Sequence, residues 1–471
     1  LTVKKRTTEK TVRKTSKNTT ARKASAKKPV KKRQTKKRIT AKKKITAKKK
    51  ITTKASTAGS CDELLVSVYT PTDDDKFLED CYNSLLSQDY PYWEWVIIPN
   101  GKGINSEFLS QLKDTDDRVV IRDFPLDGSS IGALKKFAVH SCSGQLYVEL
   151  DHDDMLTPDA LSEIVRAHKE TDAGFLYSDF VSFREDESSI TYPDTLGWET
   201  YPFEFKGKKY DASRAFEPSP DALHRLIYAP NHVRVWSRNA YRKAGGYDSS
   251  YEVCDDFDLI TRTYLSGVKF HHIDKCLYMY RQWEGSRSVE SRNAEIQQVE
   301  GELAHLRTHN IVNEYCERED LKIVNVSVKG DADSLGFADI AELDDNSVGW
   351  FRVNNVFQYI AGTHVVDWIN DAWNKLIPGG WLSVSVPSTE GQGAFQNPTY
   401  KSYWSINSFQ YLVNPDEAAP LMSHNKYVAH YHIARQWSAL VAPSGVEAVF
   451  CTNADLIAIK DDSKIAGTTP H

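Results

Sequence analysis

The chain lacks the features that mark several protein classes. Its seven cysteines among 471 residues lie scattered at Cys61, Cys81, Cys142, Cys254, Cys276, Cys316 and Cys451, with no Cys-x-x-Cys spacing. An odd, dispersed set speaks against a disulfide scaffold or a zinc site and for a reducing compartment. The expected location is the cytoplasm, that of the host if the protein is viral. No run of about 18 apolar residues is present, so no membrane span is expected. A polar N-terminus also lacks the apolar core of a signal peptide. The first residue is Leu1, which fits a fragment or a non-Met start codon translated literally.

Acids are almost missing from the first 57 residues, and bases are in short supply after them. Residues 1–57 hold 24 Lys and Arg against the single acid Glu9, while the remainder holds 36 basic and 63 acidic residues. The formal net charge of −4 hides this basic arm on an acidic body. The arm also lacks aromatics and repeats crudely, with ITAKKK at 39–44 and 45–50. It has too little apolar surface to offset chain entropy and reads as disordered. Its charge suits a nucleic acid or another polyanion, bound without sequence preference because nothing in it can stack on bases. The plainer alternative is a solubility or assembly tail.

The rest is too long for one ordinary core. Residues 62–180 alternate strand and helix signals: Leu64–Tyr69, a helix over 76–88, Trp93–Ile98, Val119–Arg122, a helix from Ile131 to Val139, and Tyr147–Leu150. That order indicates an α/β layer with a mostly parallel sheet, whose ligands bind beyond the carboxyl ends of the strands. At one such end the run Tyr147-Val-Glu-Leu-Asp151-His152-Asp153-Asp154 passes from apolar strand to three carboxylates. Strand periodicity sends Asp151 and Asp153 the same way, and two convergent hard oxygen ligands suit Mg²⁺ or Mn²⁺. An acidic turn, with Asp154 capping the helix after Pro158, is the plainer alternative.

In sequence order the chain then shows VSVYTPT (66–72), FLEDCYNSLLSQDY (77–90), WEWVIIPNG (93–101), SIGALKKFAVHSCSGQLYVELDHDD (130–154), APNHVRVWSRNAYRKAGGYD (229–248), VCDDFDLITRTYLSG (253–267) and FHHIDKCLYMYRQW (270–283). This series resembles glycosyltransferase family 2 over roughly residues 62–310. The resemblance implies a GT-A fold, a nucleotide-sugar donor (a UDP-sugar in the first place) and inverting transfer assisted by Mn²⁺ or Mg²⁺. It implies that Asp151 and Asp153 hold the metal on the donor diphosphate. Thr70, Pro71 and Thr72 would form a loop along the nucleotide base, with Asn100, Gly132, Lys136 and Arg281 as further donor contacts. Asp255 and Asp256 match the family's acidic pair, the second being the general base on the acceptor hydroxyl. That division suits inversion, which needs a base opposite the leaving group and a cation for the departing diphosphate.

The departures from the family pattern are specific. Asn100 stands where an Asp is usual. Trp283 stands where a metal-ligating His often sits, with His271 and His272 as candidate replacements. The QxxRW motif of processive members is absent, so transfer of a single sugar is expected. Residues 184–228 carry many aromatics with little periodicity and read as a loop-rich acceptor subsite or as packing; Asn231 and His232 follow it and are placed to face donor or acceptor. Residues 315–462 resemble the later half of a class I methyltransferase without its glycine-rich cofactor loop, an incomplete Rossmann-like module expected to be inactive. The expected division is 1–60, 61–312 and 313–471. The basic arm makes a hydroxymethylated pyrimidine in phage or viral DNA the first expectation for the acceptor. A glycan or a virion or surface protein is the second, and a nucleic-acid-binding protein with a decayed transferase fold is a third.

Overall fold

The computed structural model describes residues 63–125, 130–192, 197–225, 230–283, 293–331, 333–413, 427–441 and 449–460. The basic arm, and with it the expectations of disorder and of polyanion binding, lies outside the described residues. In chain order the first part runs β1 (Val66–Asp74), α1 (Leu78–Leu86), β2 (Trp93–Gly103), α2 (Ser106–Thr115), β3 (Val119–Ile121), α3 (Ile131–His140), β4 (Leu146–Glu149), β5 (Met155–Leu156) and α4 (Ala160–Thr171). It continues with β6 (Phe175–Arg184), β7 (Ser189–Ile190), β8 (Thr200–Phe205), β9 (Lys208–Ser213), α5 (Pro220–Arg225), β10 (Arg234–Ser237), α6 (Arg238–Lys243), α7 (Asp255–Leu265), β11 (Phe270–Gln282) and α8 (Asn293–Arg318).

These strands form one sheet in the order β3-β2-β1-β4-β10-β6-β11-β5, with β7, β8 and β9 attached to β6. Alternation along the strands divides the apolar residues between two covered faces. Val66, Val68, Trp95, Ile97 and Val148 pack with α1, α2 and α4, while Tyr69, Val96, Ile98 and Tyr147 pack with α3, α6 and α7. Several helices begin on side chains that accept their free backbone amides. Asn105 accepts from Glu107 and Phe108 before α2, Ser130 from Ala133 before α3, and Ser237 from Ala240 before α6.

Two sequence expectations need correction here. Thr70, Pro71 and Thr72 are not a loop: they continue β1 and pair in parallel with Ile97, Ile98 and Pro99. The segment 184–228 is less irregular than its composition suggests, since it holds β7, the β8–β9 hairpin and α5. Its rings pack inward, Tyr192 on Trp198 at 4.7 Å and Trp198 on Phe216 at 4.6 Å. Tyr192 and Trp198 are partly buried and pack against the first core.

The second part comprises β12 (Lys322–Ser327), β13 (Leu335–Gly336), β14 (Val348–Asn354), α9 (Gly362–Lys375), β15 (Leu376–Pro387), β16 (Tyr431–Val441) and β17 (Val449–Ala458). Its separate sheet has the order β13-β12-β14-β15-β17-β16. The first four strands are parallel, and the last two join antiparallel. This is a Rossmann-like topology, with Val365, Trp368, Ile369 and Ala372 of α9 buried in its core. α8 runs through position 312 and serves both parts. Ile296 and Leu303 meet Phe257 of the first, and Val312 and Cys316 meet Trp350 and Trp381 of the second. Among the described residues no helix is long and apolar enough to cross a membrane.

Candidate active site

β10 runs antiparallel to both β4 and β6, and β11 runs parallel to β6. The carboxyl ends of β1, β2, β4, β6 and β11 therefore open on one edge, where β10 begins. The acidic turn after β4 lies there. Its backbone wraps the buried Cys81 thiol, which donates to the carbonyls of His152 at 3.1 Å and Asp154 at 3.0 Å. The Asp151 carboxyl is pushed up to about 6 by burial, with Lys135 opposing and Glu149 and Asp153 adding to the rise. Asp153 Oδ2 accepts the Trp283 indole N–H at 2.8 Å.

Asp154 is not the helix cap that its position in the run suggests. It is fully buried and accepts from the Tyr278 hydroxyl at 2.8 Å and the Arg281 amide at 2.7 Å. Burial and the neighbouring Asp153 and Asp151 push its carboxyl well up. The residue flanking α4 is Asp159. Asp154 thus ties the turn to β11 and holds the two outer carboxylates in place.

The second acidic group starts α7. Asp255, Asp256 and Asp258 occupy its first turn, where the helix dipole favours negative charge. Two buried cations connect it to β4. Lys135 Nζ lies 2.5 Å from Glu149 Oε1 and 3.1 Å from Asp255 Oδ2. Arg234 Nη1 lies 2.5 Å from Asp256 Oδ2 and 3.7 Å from Glu149 Oε2. Glu149 at the end of β4 is therefore the hub, and each cation carries its charge to one acid of the pair. Lys135 and Arg234 hold the Glu149 carboxyl down against its burial. Asp255 is pushed up to about 7 by burial, with Lys135 opposing and Asp256 and Glu149 adding. Beside them, buried His232 stacks on Tyr278 with centroids 4.6 Å apart. Burial and Arg234 push its imidazole well down, so it is neutral at pH 7.

Among the other expected donor contacts, Thr70, Gly132 and Arg281 are bonded within the fold. The Thr70 hydroxyl donates to the Leu150 carbonyl at 2.7 Å and accepts from Trp95 Nε1 at 2.9 Å. Pro71 and Thr72 are buried, and Asn100 is half-buried in β2. Gly132 gives its amide to the Tyr251 carbonyl at 3.1 Å. A Cβ there would lie 2.1 Å from the Asp248 carbonyl oxygen, so a close backbone approach explains this glycine. Lys136 is half-buried, and the lysine in the network is its neighbour Lys135. Arg281 is not poised for a phosphate: its guanidinium donates to the Asp153 carbonyl at 2.8 Å and to Asp80 at 2.8 Å. His271 and His272 cannot stand in for the missing ligand. His272 bonds Asp179 at 2.7 Å, near the start of β11 and roughly 35 Å along the strand from Trp283 at about 3.3 Å per residue. Asn231 and His232 lead into β10 at the carboxyl edge, as their place in the chain suggests.

Sequence reading missed Lys135, Glu149 and Arg234, and read Asp154 as a possible helix cap. A signal was present, because a charged residue inside an apolar strand run, as in VEL or VRV, is costly to bury without a partner. Among the described residues, no group of three or more His, Cys, Asp or Glu converges on a metal position. The chain offers two carboxylates at the edge, one of them already bonded to Trp283. This donor set fits a hard divalent ion that takes its other ligands from phosphate oxygens and water, and not an all-protein cage.

A mostly parallel sheet with carboxylates after one strand and a second acidic pair on a helix across the same edge forms an α/β domain with its acidic groups at the carboxyl edge, where such sheets bind ligands. Comparison agrees: residues 67–224 match the family described as Glycosyl transferase family 2, so this part of the chain is a domain of that family. Among curated relatives, the O-antigen biosynthesis protein RfbC of Myxococcus xanthus is 27% identical over 238 residues, covering 49% of this chain and 16% of its own. The putative teichuronic acid biosynthesis glycosyltransferase TuaG of Bacillus subtilis is 25% identical over 144 residues, covering 28% of this chain and 57% of its own. The chain spans well under a third of the length of the first of these. A crystal structure of S. aureus TarS 1-349 with UDP-GlcNAc aligns at 14% identity and a TM-score of 0.41, covering 54% of this chain and 71% of that one.

Proposed function

We propose that the first sheet is a nucleotide-sugar-dependent, inverting glycosyltransferase that adds a single sugar to a hydroxyl of a glycan or surface polymer. The observation that carries this is the pairing of two acidic groups across one sheet edge through Glu149, Lys135 and Arg234. Asp151 and Asp153 would hold Mn²⁺ or Mg²⁺, which when bound supplies charge stabilisation for the diphosphate. Asp256, paired with Arg234, takes the proton of the acceptor hydroxyl. The acceptor oxygen bonds to the anomeric carbon as the bond to the diphosphate breaks, and the diphosphate leaves with that electron pair. Asp255 and Lys135 position the helix end against β4. Asn100 remains the candidate for the base edge of a UDP-like donor.

The acceptor follows from the relatives, whose names speak of O-antigen and teichuronic acid biosynthesis. A DNA acceptor rests on the charge of residues 1–57 alone. The second sheet, which lacks a glycine-rich cofactor loop, serves as a methyltransferase-like module for acceptor binding or assembly, and titration with S-adenosylmethionine should release no heat. The test of the acceptor compares the full chain with a chain lacking residues 1–57. Transfer to cell-surface polysaccharide acceptors should be equal for the two. Transfer to hydroxymethylated DNA, lost with the arm, would reverse the assignment.

A further inference from the structure

A cavity of about 610 Å³ lies between α8 and the second sheet, lined among others by His309, Asn310 and Asn313 of α8, Arg352 and Asn354 of β14, and Ser383 of β15. Its volume is that of a small-molecule site, which typically spans roughly 300–1,000 Å³. It uses none of the residues assigned to the carboxyl edge of the first sheet.

Arg352 gives the cavity its chemistry. The guanidinium lies over the Trp350 ring with its central carbon 3.7 Å from the centroid, and Nη2 donates to Asn313 Oδ1 at 3.1 Å. Its Nε is buried with no hydrogen-bond partner. Among the described residues no carboxylate pairs with it, because those nearby are engaged elsewhere. Glu314 pairs with Arg318 at 2.9 Å. Asp455 is taken by Arg435, by Ser383 and by His309, the last at 3.0 Å. Burial holds the Arg352 guanidinium somewhat below its ordinary pKa, still fully charged at neutral pH. A half-buried cation with an unmet donor is costly unless an anion completes it. The amides of Asn310 and Asn354 beside it both donate and accept, as sugar hydroxyls require.

We propose that this cavity binds an anionic sugar, its carboxylate or phosphate set against Arg352 and its hydroxyls against Asn310 and Asn354. A planar guanidinium matches both anions through paired N–H donors. The site would grip a charged unit of a glycan while another unit occupies the transferase edge.

Calorimetric titration of the full chain with glucuronate, glucose 6-phosphate and glucose tests this directly. One or both anionic probes should bind and glucose should not, the stronger probe telling a carboxylate site from a phosphate site. Arg352→Gln should weaken binding roughly tenfold or more, with Arg352→Lys between the two, while donor turnover at the other site is unchanged. Should Arg352→Gln fail to fold, Asn310→Asp at an exposed position on α8 should abolish binding by setting a carboxylate at the cavity. Glucose binding as tightly as the charged probes, no binding of any probe at about 10 mM, or unchanged binding in Asn310→Asp would each overturn the proposal.

Discussion

Arg234→Gln is the sharpest structural test of the network that joins the two acidic groups. Arg234 is fully buried and lies 2.5 Å from Asp256 and 3.7 Å from Glu149. Among the described residues, removing it leaves Lys135 as the one cation for three buried carboxylates, Glu149, Asp255 and Asp256. Stripping one partner from a buried ion pair costs about 3–5 kcal/mol, because the desolvated partner keeps its charge without compensation. At roughly 2–4 °C per kcal/mol for a domain of this size, the first sheet should melt on the order of 10 °C lower. Urea unfolding followed by near-ultraviolet circular dichroism reads the loss. The double variant Arg234→Gln, Asp256→Asn should recover a good part of it, since the stranded charge is gone. A single variant within about 1 kcal/mol of the parent would mean that the pair behaves like a solvated surface bridge, and the reasoning would fail.

Three further outcomes follow from individual contacts. Asp255 is raised to about 7 in the folded chain, so the fold holds its proton more tightly than the unfolded chain does. Stability therefore falls as pH rises from about 4 to about 7, and Asp255→Asn, which lacks this loss, should gain on the parent as pH rises from 5 to 8 in thermal melts. Trp283→Phe frees the Asp153 oxygen now bonded to the indole and should tighten Mn²⁺ binding by roughly threefold to tenfold, a charge-assisted bond no longer competing; unchanged affinity by electron paramagnetic resonance would separate Asp153 from the metal. Gly132→Ala places a methyl 2.1 Å from the Asp248 carbonyl oxygen and should cost about 2–3 kcal/mol as α3 shifts, measured as a lower urea midpoint.

The strands and helices of the first part could be read from residue patterns because their faces are segregated. Val66, Val68 and Tyr69 alternate between two cores, and Asp151 and Asp153 stand where the alternation stops. What could not be read depends on contacts far apart in the chain. Trp283 meets Asp153 across 130 residues, and Arg281 meets Asp80 across 201, so no local pattern announces either. Lys135 and Lys136 are adjacent, and a helix turns about 100° between them; which one enters the site depends on how α3 docks on β1. Thr70 through Thr72 carried the turn-like sequence TPT, yet pairing with Ile97, Ile98 and Pro99 extends the strand. The cavity beside Arg352 needed α8 laid across the second sheet.

The central claim is that the edge bearing Asp151, Asp153 and Asp256 transfers a sugar from a nucleotide donor. The direct measurement is nucleotide release with Mn²⁺ across a panel of nucleotide sugars, for the parent and for Asp153→Ala and Asp256→Asn. Turnover with one donor, lost by at least about a hundredfold in both variants, is the predicted result. No turnover with any donor, or turnover that survives both substitutions, would contradict it.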